Sequence, residues 1–360
     1  MALELTIHEV TERKPKPDYS HLAFGKNFTD HMFVMDYHAE KGWHDPRIEP
    51  YAPLTLDPSA LVFHYGQSVF EGLKAYKSNN DILLFRPEKN FQRLNVSNKR
   101  LSIPEIDVDF MVHALKELVH IDQDWIPTKK GQSLYIRPFI IATEPVINVK
   151  PAEEYKLMII MSPVGSYYST SDQMSPVKIY VEDEYVRSVK GGVGFTKTSG
   201  NYAASLSAQM KAEELGYDQV LWLDGFEKKY VEEVGSMNIF FKINGEVVTP
   251  ALNGSILAGI TRDSVIELLK HWDVPVSERR ISIEEVFEAA ENGQLEEVFG
   301  TGTAAVISPV GTLKWKDKEI TVNENETGKL SLDLANTIAG IQTNEEKDPF
   351  GWRVKVDVEK

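Results

Sequence analysis

At 360 residues the chain exceeds the length at which a single core usually stops growing, so two domains are expected. With 42% hydrophobic and 26% charged residues it has the make-up of an ordinary globular protein, and the formal charge of −15 argues against a nucleic-acid or anionic-membrane partner. Zero cysteines exclude disulfides, thiolate metal sites and cysteine nucleophiles together, and fit a reducing cytoplasm.

The first residues, MALELTIHEVTERKPKP, mix charges of both signs without an apolar run, so no signal peptide is expected. Strands are expected at Ile82–Phe85, Ser133–Ile136, Lys156–Met161 and Val177–Val181. The apolar run 157–161 is far short of the ~20 residues of a membrane span. After Pro87 a helix places Arg86, Lys89, Arg93 and Arg100 on one side and Phe91, Leu94 and Leu101 on another. The stretch GSYYSTSDQMSP, 165–176, shows neither helical nor alternating pattern and reads as an inter-domain connection.

Beyond it, NYAASLSAQMKAEEL at 201–215 predicts one helix closed by Gly216. Strands follow at 219–223 and 238–243. Thr261–Trp272 predicts a helix with Val265, Leu268, Leu269 and Trp272 as its buried stripe, and Ser331–Gln342 the last helix. Interleaved elements of this kind make an α/β or α+β chain of two halves joined near residue 170.

Chemistry concentrates in GGVGFTKTSGN, 191–201. Three glycines permit close approach of a ligand, and one lysine follows. A P-loop is one reading, but Thr196 stands where its second glycine belongs and the preceding strand ends too early. A Schiff-base lysine is another, and a solvated surface loop a third. A pyridoxal phosphate site would also need a phosphate pocket, an acid against the pyridine nitrogen and a hydroxyl near the ring oxygen. Leu257–Thr261 at a helix entrance and Gly300–Ala305 are candidate anion loops. In Val231-Glu232-Glu233-Val234, alternation sends the two acids to opposite faces, so at most one faces a given pocket, and one exposed acid beside one at a strand end is an equal reading. The scattered histidines suggest no catalytic metal.

In this order the segments FGKNFTDHM (24–32), HYGQSVFEGLKAY (64–76), SLYIRP (133–138), GGVGFTKTSGNYAASL (191–206), QVLWLDG (219–225), EVGSMN (233–238) and FGTGTAAV (299–306) resemble the branched-chain amino-acid aminotransferases, fold-type-IV, class IV pyridoxal-phosphate enzymes. The resemblance implies a small N-terminal α/β domain (1–168), an inter-domain loop (169–177) and a larger C-terminal pseudo-barrel domain (178–360). It makes Lys197 the Schiff-base and proton-shuttling residue and Glu233 the pyridine partner. Tyr202 would stand by the ring oxygen, Arg93 on the phosphate, and Ile260, Thr261 and Thr303 would complete the phosphate cup. It further implies an apolar substrate pocket of Phe24, Tyr65, Phe70 and Tyr135. Ser236 and Ala304 would receive the α-carboxylate, and Arg137 would help admit a dicarboxylic substrate. Ile147 and Val149 match a segment that closes the pocket of the partner subunit in a homodimer. The reaction implied is reversible, ping-pong transfer of the amino group of leucine, isoleucine or valine to 2-oxoglutarate. D-amino-acid aminotransferases and aminodeoxychorismate lyases share the fold and are the nearest alternatives. Mammalian members carry a Cys-x-x-Cys pair where this chain has Ala305 and Ser308.

Overall fold

The computed structural model describes residues 3–165 and 174–357. The chain is a mixed α/β protein of two compact units. Unit 1 comprises 1–167, 196–199 and 340–360, and unit 2 comprises 168–195 and 200–339. The short lysine segment 196–199, expected in the second domain, thus groups with unit 1. Residues 166–173 of the expected connection lie outside the described residues.

Unit 1 contains β1 (Thr6–Ile7), β2 (His31–His38), β3 (Gly42–Pro50), β4 (Ser68–Phe70), β5 (Leu73–Ser78), β6 (Asp81–Phe85), β7 (Ser133–Ala142) and β8 (Glu154–Val164). Its helices are α1 (Leu61–Tyr65), α2 (Pro87–Arg100) and α3 (Val108–Ile121). The sheet runs β1-β3-β2-β8-β7-β5-β6, with β4 also on β7, and a late strand from the chain's end beside β6. Strand β7, SLYIRPFIIA, divides its side chains by alternation. Leu134, Ile136, Ile140 and Ala142 enter a core shared with Phe91 and Leu94 of α2 and Met111, Leu115 and Leu118 of α3. Tyr135, Arg137 and Phe139 consequently stand on the opposite face. Pro138 lies opposite the break between β4 and β5, where its carbonyl accepts from Glu71 N–H at 2.7 Å. That interruption is where a strand can accommodate proline.

Unit 2 contains β9 (Val177–Glu182), β10 (Gln219–Leu223), β11 (Val231–Val234), β12 (Asn238–Ile243), β13 (Glu246–Thr249), β14 (Val276–Glu278), β15 (Leu295–Gly302), β16 (Val306–Trp315) and β17 (Lys318–Thr321). The sheet order is β11-β10-β9-β16-β15-β12-β13-β14, with β17 on β16. The later helices are α4 (Ser199–Ala203), α5 (Leu206–Glu214), α6 (Ile260–His271), α7 (Ile283–Glu291) and α8 (Lys329–Thr343); β18 (Arg353–Lys355), the strand beside β6, belongs to unit 1. Ile179, Leu221, Ile239, Phe241, Val298 and Leu313 from the strands pack with Val286 and Phe287 of α7.

All six expected strands are present. The single helix expected over 201–215 is instead α4 and α5. Ser205 Oγ donates to Tyr202 carbonyl at 2.7 Å at the break, a local side-chain bond of the kind that competes with helix continuation. In α6 Val265, Leu268 and Leu269 are buried as expected, but Trp272 is the half-buried C-cap. No helix of the described residues is long and apolar enough to cross a membrane.

Asp224, at the end of β10, organises the loop into β11. Its carboxylate accepts from the backbone N–H groups of Phe226 (3.2 Å), Glu227 (2.7 Å), Lys229 (2.9 Å) and Tyr230 (2.8 Å). Desolvation pushes its pKa up, but these donors more than offset it and hold the group below the usual carboxylate range. Stabilisation from a depressed carboxyl is complete above its unfolded pKa and is lost as pH falls through the folded one. Asp224→Asn should therefore lower stability by about 1–3 kcal/mol at neutral pH. In urea titrations its deficit should shrink on acidification below about pH 4, the unfolded-state pKa of aspartate; a pH-independent deficit would refute this role.

Candidate active site

The candidate residues fall into two clusters, one in each unit.

In unit 1 the lysine segment is extended and tied to β4. Val69 and Thr198 form an antiparallel bridge, and Phe70 N–H donates to Lys197 carbonyl at 3.0 Å. Thr198 Oγ1 donates to Ser68 carbonyl at 2.8 Å, Ser68 Oγ to Ser199 Oγ at 2.7 Å, and Lys197 N–H to Ser97 Oγ of α2 at 2.9 Å. Lys197 is therefore not on a solvated loop. The P-loop reading also fails: Thr196 stands where the second glycine belongs, and β9, the strand before the loop, ends at Glu182, well short of Gly191. Gly194 has a different duty from cradling phosphate: a Cβ there would overlap Ser188 and the carbonyl of Ser255.

Lys197 Nζ lies over the Phe70 ring, 4.7 Å from its centroid, and the Arg137 guanidinium is 4.6 Å from the same centroid. Arg137 also donates to Tyr135 Oη at 2.8 Å, and Phe24 packs on Tyr135 with ring centroids 4.8 Å apart. Phe24 and Tyr65 are exposed, Tyr135 is buried. Tyr135 pairs across the sheet with Lys74, whose pKa burial lowers to about 8. One turn before Ser97 on α2, Arg93 makes a forked pair with Glu71, Nε to Oε1 and Nη2 to Oε2 both at 2.8 Å. Of the basic residues on and before α2, Arg93 thus turns toward the buried Glu71, while Arg86, the N-cap, is buried against Trp352.

In unit 2 Glu232 and Glu233 are both buried, so the reading with one exposed acid is corrected. Strand β11 is buried along its whole length, and each acid finds its own partner. Glu233 Oε2 pairs with Arg187 Nε at 2.9 Å, and Oε1 accepts from Leu257 N–H at 2.7 Å. Glu232 is bonded by Ser255 Oγ; burial dominates there and pushes its pKa up. Ile260 and Thr261 open α6, whose N-cap Gly259 makes no side-chain cap. A Cβ on Gly259 would overlap Asn238, whose side chain donates to Leu257 carbonyl at 2.9 Å. Thr303 and Ala304 occupy the turn between β15 and β16, Tyr202 is half-buried in α4, and Ser236 is exposed in the β11–β12 turn. Ile147 and Val149 are exposed in unit 1. Among the described residues, Asp30, Asp122 and Asp124 form the one acidic group close enough to share a metal, and Arg13 and Lys16 already engage it.

Sequence reasoning missed Glu71, Ser97 and Arg187. Glu71 lay in a quoted motif, but nothing in the spacing paired it with Arg93. Arg187 precedes the glycine loop and had no visible partner in the chain around it.

Residues 68–313 match the family model for amino-transferase class IV. The chain is 63% identical over 353 residues to branched-chain-amino-acid aminotransferase 2 of Bacillus subtilis strain 168, covering 98% of this chain and 97% of that protein. It is 62% identical to branched-chain-amino-acid transaminase 1 of the same strain, covering 95% and 96%. The chain belongs to the branched-chain-amino-acid aminotransferases. Among solved members, the Escherichia coli branched-chain amino acid aminotransferase superposes with a TM-score of 0.76 at 26% identity, covering 91% of this chain and 99% of that one. The branched-chain aminotransferase of the thermophilic archaeon Thermoproteus uzoniensis, solved with norvaline, gives 0.75 at 25% identity, covering 91% and 100%. The alternatives of the same fold, D-amino-acid aminotransferase and aminodeoxychorismate lyase, give way to this branched-chain membership.

Gly72 shows how tightly the first cluster is built. A Cβ there would overlap Tyr135 Oη and stand 3.1 Å from its Cζ. Gly72→Ala should cost about 1–3 kcal/mol by overpacking. Tyr135→Phe in that background should recover most of the loss, because the hydroxyl is the atom displaced. Urea unfolding of the three variants checks this, and an additive double variant would show that Gly72 is not reserving space for the hydroxyl.

Proposed function

We propose that this branched-chain-amino-acid aminotransferase holds pyridoxal phosphate on Lys197 and moves the amino group of leucine, isoleucine or valine to 2-oxoglutarate, reversibly and by a ping-pong scheme. The observation that carries the reading is the pinned Lys197 segment, which fixes the backbone while leaving Nζ against the Phe70 ring.

The residues present fit the cofactor. A buried carboxylate held by an arginine suits a protonated pyridine nitrogen, and Glu233 is such a group. In unit 2 the α6 entrance at Ile260 and Thr261, and Thr303 in the turn after Gly302, offer amides and a hydroxyl of the kind that suits phosphate; Arg93 of unit 1 is likewise assigned to the phosphate. Tyr202 is assigned to the ring oxygen. When bound, the group supplies an electron sink for the charge left as the substrate's α-proton departs. Lys197 Nζ, as the base, takes that proton from the α-carbon and returns it on the other side of the transfer.

Phe24, Tyr65, Phe70 and Tyr135 are assigned to the substrate side chain, Ser236 and Ala304 to its α-carboxylate. Arg137, a cation on the same sheet face as Tyr135, is assigned to the second carboxylate of 2-oxoglutarate. Apolar burial is worth about 0.8 kcal/mol per CH₂, which separates leucine, isoleucine and valine weakly, so all three are substrates in this reading. Assembly as a cytoplasmic homodimer belongs to the same reading, supported by the exposed apolar Ile147 and Val149 on the segment assigned to the partner's pocket.

Steady-state kinetics with each L-amino acid and 2-oxoglutarate test the assignment, with Lys197→Ala as control. The parent should transaminate all three, and the variant should fold but lose essentially all turnover. Parent-like turnover by Lys197→Ala, or consumption of only the D-isomers, would overturn it.

A further inference from the structure

Arg187 stands outside every motif used so far, yet it is buried at the centre of unit 2's polar cluster. Its Nε pairs with Glu233 Oε2 at 2.9 Å. Its Nη1 donates to the carbonyl of Gly194 at 3.2 Å and to that of Ser255 at 3.1 Å. One planar guanidinium thereby holds three pieces of chain: β11, the glycine loop just ahead of Lys197, and the segment leading to α6. That last segment returns to β11 twice, through Leu257 N–H on Glu233 and Ser255 Oγ on Glu232.

The two neighbouring acids are held by different partners. Glu232 has a hydroxyl partner, and its burial disfavours charge. Glu233, one residue on, has the arginine at ion-pair distance. A buried carboxylate without a counter-charge is costly, and an arginine with several fixed donors supplies charge and orientation together. The crowding at Gly194, where a Cβ would overlap Ser255 carbonyl, shows that close packing of the loop itself brings together the two carbonyls on Nη1.

We infer that Arg187 is a positioning residue of the transamination site, which fixes the Glu233 carboxylate in place and charge for its contact with the pyridine nitrogen. The inference rests on the assignment of Glu233 to pyridoxal phosphate. It predicts that Arg187 matters to cofactor binding through Glu233 and not independently of it.

The test is a double-mutant cycle on the dissociation constant of pyridoxal 5'-phosphate, titrated into cofactor-free protein, using Arg187→Gln, Glu233→Gln and the double variant. Thermal unfolding of each cofactor-free protein establishes that it is folded. Arg187→Gln should weaken binding on the order of tenfold when Glu233 is present, and less than about twofold when residue 233 is already glutamine. Equal losses in the two backgrounds, or no loss in the first, would overturn the inference. Should Arg187→Gln not fold, Arg187→Lys takes its place: it keeps the charge but lacks the fork that reaches Glu233 and both carbonyls. The same background-dependent loss is expected from it, and a loss independent of Glu233 counts equally against the inference. A parent protein that binds no pyridoxal phosphate would instead sink the underlying reading.

Discussion

The short antiparallel pairing between the Lys197 segment and β4 is the constraint on which the first cluster depends. A lysine side chain has many rotatable bonds, and its reactivity is useful only if the backbone beneath it is fixed. Here the fixing is done by main-chain bonds to Phe70, by Thr198 on Ser68 and by Ser97 on the lysine's own N–H. Because Ser97 is one turn beyond Arg93, the same helix that steadies the lysine also carries the assigned phosphate arginine. Glu71, the residue after Phe70, grips that arginine with both oxygens. Three short pieces of sequence, distant along the chain, are thus locked to one another by a few directional bonds.

Unit 2 solves a related problem with charge. Burying Glu233 would be unfavourable without compensation, and Arg187 together with the Leu257 amide supplies it. The adjacent Glu232 is bonded by Ser255 Oγ instead, and burial dominates there, raising its affinity for a proton. Two acids of the same strand are thus held by different partners.

Much of this was legible in the sequence. Ser133–Ile136 was legible as a strand, although β7 runs on to Ala142, and the apolar runs located the other strands. The glycine loop and the order of motifs pointed to Lys197 and Glu233. What was hidden depended on long-range pairing. Nothing local in FEGLKAY says that its glutamate binds an arginine on α2, and nothing near Arg187 names Glu233 as its partner. The broken helix at 203–206 escaped for another reason: alanine-rich propensity predicts continuity, while Ser205 bonds back to Tyr202 and the chain turns. Gly72 was hidden too, since its value lies in the space left for Tyr135 and not in an unusual backbone angle.

Cofactor attachment is assigned to one particular lysine, and the protein contains a strong internal competitor in Lys74, whose burial lowers its pKa to about 8. The most direct test is borohydride reduction of the protein loaded with pyridoxal phosphate, followed by peptide mass mapping. A single phosphopyridoxyl mass is expected, on the peptide containing Lys197. A label on Lys74, or one spread over surface lysines with Lys197 unmodified, would contradict the assignment.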